Sequence, residues 1–136
     1  MSPADTARSG DMSLTVLVIV TNQDRSRDFY HDVMGAEIVR ERDPAILRLG
    51  NGVLVLNVGG GPTDDKPMVT IAPPADTDTV SMAFNMRVAD IHAVYHAWRA
   101  LGAQFLTPPQ DRDGEIRCYL RDPDGYLIEV GQTTRA

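Results

Sequence analysis

Apolar and polar residues alternate along this chain in two different rhythms, and the order of the rhythms repeats. Residues 14–20 (LTVLVIV) are short, β-branched and apolar almost throughout, which predicts a strand covered on both faces. The polar run Thr21-Asn22-Gln23-Asp24 then offers helix N-caps. Over residues 25–34 the large apolar side chains Phe29, Tyr30, Val33 and Met34 form one helical stripe, and Gly35 stops it. Residues 36–42 and 45–49 read as strands parted by Asp43-Pro44. Asn51-Gly52 signals a tight hairpin into a returning strand over residues 53–58.

The same order follows a connection over residues 59–79. Residues 80–88 read as a strand and residues 90–101 as a helix with the stripe Ile91, Val94, Tyr95, Trp98 and Leu101. Residues 103–106 and 115–120 are further strands, and Asp122-Pro123-Asp124-Gly125 turns into a last strand over residues 126–130. Met34-Gly35-Ala36-Glu37 answers Leu101-Gly102-Ala103-Gln104, and Val20 answers Val88. Strand, helix and three strands therefore occur twice. One four-stranded half cannot bury both its faces, so the halves are expected to join. The predicted class is α+β: two tandem βαβββ modules forming a cupped mixed sheet with helices outside. The division is a mobile N-terminal tail (1–12), a first module (13–58), a linker (59–79), a second module (80–132) and a C-terminal tail (133–136).

Charge and cysteine content narrow the partners. A net charge of −6 with interspersed arginines repels a phosphate backbone and an anionic lipid surface, so neither nucleic acid nor membrane is expected. The longest apolar run is far too short to span a bilayer and lacks the flanks of an export signal. A single cysteine, Cys118, excludes an internal disulfide framework, and a cytoplasmic protein is the expectation.

Two segments resemble a known family. Residues 20–30 (VTNQDRSRDFY), followed by Met34-Gly35-Ala36, are similar to the first strand-to-helix passage of the vicinal-oxygen-chelate superfamily, which includes glyoxalases, bleomycin-resistance proteins and extradiol dioxygenases. Residues 121–130 (RDPDGYLIEV) resemble its closing hairpin, the most specific piece. The resemblance implies a small organic ligand in the cup, a homodimer, and in many members a divalent metal held by one ligand on each of the first, fourth, fifth and eighth strands. That metal would act as a Lewis acid on a chelating substrate.

Carried over by position, only Glu129 on the eighth strand matches a ligand. The first-strand position is Thr15, the fifth is Ala83 (Met82 if the register slips by one), and the fourth is Asn57 or Leu56 depending on the anchor. Such a set does not hold a transition ion, so the expectation is ligand binding without the metal centre, with a metal-dependent lyase, isomerase or dioxygenase as the alternative. Glu129 is the candidate acid–base residue, and the metal ligand if an ion is bound. By strand alternation Leu17, Asn85 and Arg87 share the pocket wall with Thr15 and Ala83, and Arg117 joins them. Arg87 is read either as a cation for Glu129 or an acidic ligand, or as a rim salt bridge. His31, His92 and His96 fall on solvated helix faces, Cys118 reads as a buried inert thiol, and Asp111 to Glu115 as a charged loop near the pocket mouth.

Overall fold

A computed structural model describes residues 2–6 and 10–135. Of the expected mobile tail, residues 1 and 7–9 lie outside the described residues, and Pro3–Thr6 forms a single helical turn, α1. The first module then runs β1 (Val16–Val20), α2 (Gln23–Asp32), β2 (Glu37–Arg40), β3 (Ala45–Leu49) and β4 (Gly52–Val58). The second runs β5 (Phe84–Arg87), α3 (Ile91–Ala100), β6 (Gln104–Phe105), β7 (Gln110–Arg112), β8 (Glu115–Arg121) and β9 (Leu127–Thr133). The first sheet has the order β1-β4-β3-β2; the second has β5-β9-β8-β6, with β7 added on β8. In each, the opening strand is parallel to the closing one. This is the expected pair of βαβββ modules.

Alternation explains the core. Val18, Val20, Ala45, Leu47, Leu54 and Leu56 of the first sheet are buried on the helix side, as are Cys118, Leu120, Ile128 and Val130 of the second. Tyr30, Val33 and Met34 from α2 and Ile91 and Tyr95 from α3 cover them, and all belong to one cluster spanning both modules. Asn22 and Asp90 cap the two helices by accepting from the backbone N–H groups of Arg25 and Ala93.

Several boundaries differ from the sequence expectation, each for a pairing reason. β1 begins at Val16, leaving Leu14 and Thr15 outside it. β5 begins at Phe84 because Phe84 pairs with Ile128, one residue into β9. Residues 80–83 have no ladder partner among the described residues. The hairpin loop of the first module is Gly50-Asn51, with Gly50 at φ +57°, and Gly52 already pairs with Leu49. The supposed charged loop is a hairpin: Asp113-Gly114 turns β7 into β8, with Gly114 at φ +79°. Leu101 is exposed at the C-cap of α3 rather than part of its buried stripe. Arg27 is buried on α2, where it pairs with Asp24, Asp28 and Glu41.

The two modules are joined by the Asp-Pro-Asp-Gly turn. The buried Tyr30 hydroxyl donates to Asp122 Oδ2 at 2.7 Å, while Asp122 Oδ1 accepts from the N–H groups of Asp124 and Tyr126. Asp124, whose side chain is 3% exposed, accepts from the Thr21 N–H and hydroxyl, from Ser26 Oγ and from Arg25 Nη2. It thereby places a carboxylate at the N-terminal end of α2, where the helix dipole favours negative charge. The Tyr126 hydroxyl donates to the Ile19 carbonyl at 2.8 Å. Burial, and secondarily the neighbouring Asp122 carboxylate, hold the Tyr30 phenol well above its ordinary pKa, so the shared proton stays on Tyr30. Tyr30→Phe keeps the ring but removes the donor, and is expected to lower the unfolding free energy by about 1–3 kcal/mol in urea denaturation. An unchanged midpoint would show that this bond does not join the modules.

Candidate functional site

The faces of both sheets turned away from the helices carry the candidate side chains. Thr15 precedes β1, while Leu17 and Ile19 lie on its open face and pair with Val55 and Asn57 of β4. Leu56 is fully buried on the helix side, so Asn57 rather than Leu56 faces the open side. The two registers decide which fourth-strand residue mirrors Glu129. In the second module Asn85 pairs with Glu129; in the first, Leu17 pairs with Val55. Leu17 answers Asn85 just as Val20 answers Val88. The residue equivalent to Glu129 is therefore Val55, one pleat before Asn57.

That assignment completes the test for a metal. The four equivalent positions are Thr15, Val55, Ala83 and Glu129: one hydroxyl, two hydrocarbon side chains and one carboxylate. This donor set does not fit a divalent transition ion. Among the described residues no group of three or more His, Cys, Asp or Glu side chains is placed to hold one elsewhere.

Glu129 is half-buried, with Asn85 on one side and Tyr119 on the other. Among the described residues its carboxylate has no hydrogen bond or ion pair. Arg87 is directed elsewhere: it pairs with Glu115 Oε1 at 3.1 Å and donates to Thr133 Oγ1 at 2.9 Å, with a long contact to Asn85 Oδ1 at 3.5 Å. Of its two readings, the structure shows the salt bridge and not the pairing with Glu129. Gly131 permits this path, since a Cβ there would collide with the Arg87 guanidinium. Arg117, on the other side of Gly131, also leans on Glu115, at 3.8 Å, and lies 6.0 Å from the centre of the Tyr119 ring.

Two clefts adjoin this surface. One, of about 270 Å³, lies between β1 and β5 and is lined by Leu17, Val18, Ala83, Phe84, Tyr126 and Leu127 among others. The second, of about 900 Å³, runs from the Gly50-Asn51 turn along β5 and includes Val16, Val53, Ala83, Asn85 and Arg87. The structure thus brings Leu17 and Ala83 to one cleft and Ala83, Asn85 and Arg87 to the other. Thr15, Asn57, Arg117 and Glu129 line neither. Tyr119, Leu127 and Val55 were missed because only strand pairing reveals them. The histidines are exposed as expected. Cys118 is buried, and desolvation pushes its thiol up to about 11, which leaves it protonated and unreactive at neutral pH.

The comparisons with known proteins agree with the fold. The model of the Glyoxalase/Bleomycin resistance protein/Dioxygenase superfamily matches residues 14–130. The chain belongs to this superfamily. It is 31% identical over 121 residues to a metallothiol transferase FosB of Shouchella clausii, covering 86% of this chain and 77% of that one. It is 25% identical over 128 residues to a probable lactoylglutathione lyase of Synechocystis, covering 89% and 95% of the two chains. Among solved structures, TnmS3, an antibiotic binding protein from Streptomyces, superposes with a TM-score of 0.66 at 19% identity, covering 90% of this chain and 97% of that one. At that identity the likeness is one of fold.

Replacing Gly131 with Ala should displace Arg87 from Glu115 and Thr133. A loss on the order of 1–2 kcal/mol is expected in denaturant unfolding. Unaltered stability would show that the guanidinium does not need the path over Gly131.

Proposed function

We propose that this protein binds a small organic molecule on the open face of its sheet without using a divalent metal. The observation that carries this reading is the quartet Thr15, Val55, Ala83 and Glu129, which keeps one carboxylate where a metal-using relative needs several ligands. The cleft between β1 and β5 has mostly apolar walls and few polar groups, the pattern in which hydrocarbon supplies affinity and sparse polar atoms supply orientation. The antibiotic binding protein of the same fold supports a sequestering role by analogy.

The second reading is an enzyme of the superfamily, a lyase, isomerase, transferase or dioxygenase. Its support is the similarity to FosB and the lyase, together with Glu129, a carboxylate without a partner among the described residues and able to accept a proton from a bound substrate. Two copies forming a homodimer suit the binding reading, because Glu129 and Arg117 lie on a face that the clefts of one chain do not enclose. A cytoplasmic setting suits the lone buried Cys118. Among the described residues no helix is long and apolar enough to cross a membrane.

A thermal-shift screen of antibiotics, aromatic diols and thiol adducts, run with and without chelator, tests the reading. Stabilisation that survives chelator is expected; binding that disappears with chelator favours the metal enzyme. Light scattering at micromolar concentration is expected to give twice the chain mass, and a monomer contradicts the dimer.

A further inference from the structure

Three polar side chains stand in one row across the second sheet: Asn85 on β5, Glu129 on β9 and Tyr119 on β8. Neighbouring strands lie about 4.7–4.9 Å apart, so Asn85 and Tyr119 flank Glu129 on its two sides at one level of the sheet. Within the chain their capacity is almost unused. Glu129 and the Tyr119 hydroxyl have no hydrogen-bond partner among the described residues, and Asn85 Oδ1 receives only the 3.5 Å contact from Arg87.

The cations that could neutralise Glu129 are held away from it. Arg87 and Arg117 flank Gly131, the residue two beyond Glu129 on the same face. Both turn to Glu115. Because Gly131 has no side chain, Arg87 crosses the strand at that point instead of folding back along it. The face consequently presents three oxygen acceptors and an aromatic ring, with the nearest positive charges already engaged. One pleat in the other direction, Ala83 precedes Asn85 and Leu127 precedes Glu129, and both line the apolar cleft between β1 and β5. The step between these two levels is roughly 6.5 Å.

Resting on the reading that this face binds the ligand, we propose that the ligand is an organic amine: its apolar body sits between β1 and β5, and its protonated nitrogen is held by Glu129, Asn85 and Tyr119. An ammonium group donates three hydrogen bonds, matching the three acceptors. A carboxylate or phosphate at the same place would face Glu129 directly.

The test uses three indoles of nearly equal shape, with backbone amide NMR titrations of the full chain: tryptamine, the neutral tryptophol and the anionic indole-3-propionate. Tryptamine is expected to perturb residues 83–87 and 127–131 and to bind at least tenfold more tightly than either analogue. In Glu129→Gln tryptamine should lose its advantage over tryptophol. Equal affinities for the three at this face overturn the amine inference but leave the binding face standing. Tighter binding of indole-3-propionate, lost in Arg117→Ala, assigns the site to anions instead. If no indole perturbs these residues, both the inference and the binding face fail.

Discussion

The turn Asp122-Pro123-Asp124-Gly125 is the constraint on which this molecule depends. Neither sheet can bury two faces by itself, and the edges of β1 and β5 form no ladder with each other. The modules are held together by two carboxylates and two phenols: Asp122 with Tyr30, Asp124 with the start of α2, and Tyr126 with the β1 backbone. Burying a carboxylate is unfavourable unless its lone pairs are filled. Here both are filled, by backbone N–H groups, hydroxyls and one arginine. Because those donors sit at defined atoms, the clamp fixes how one sheet sits beside the other more sharply than apolar contact could.

This clamp positions the candidate site indirectly. Tyr126 and Leu127 leave the turn beside β1, so the apolar cleft between β1 and β5 begins where the clamp ends. Two residues further along β9 comes Glu129, and two beyond that Gly131, whose bare backbone lets Arg87 cross to Glu115. One strand thus carries an apolar wall, a carboxylate and a route that leads positive charge away from it.

The local features of the fold were legible in the chain because local chemistry sets them. The helix cap Asn22, the stop Gly35 and the Asp-Pro-Asp-Gly turn all act within a few residues. The duplication followed from their order. Long-range pairing was not legible. Nothing near Asp124 in sequence indicates that it meets Thr21, and nothing near Val58 or Gly52 shows that Val55 pairs with Leu17. The fourth-strand position was therefore placed at Asn57 or Leu56, when only the register of β1 against β4 identifies Val55. Asp113-Gly114 carried the same turn signal that identified the first hairpin, but the surrounding charges suggested a loop. Those charges are what an exposed edge strand such as β7 carries.

The physical core of the functional reading is a duplicated frame whose four equivalent positions retain a single acidic side chain. Metal content of protein purified without chelators tests it most directly. A metal-free site predicts Ni, Zn, Fe and Mn each far below one ion per chain, unchanged in Glu129→Ala. One ion per chain in the natural sequence, lost in that variant, would contradict it.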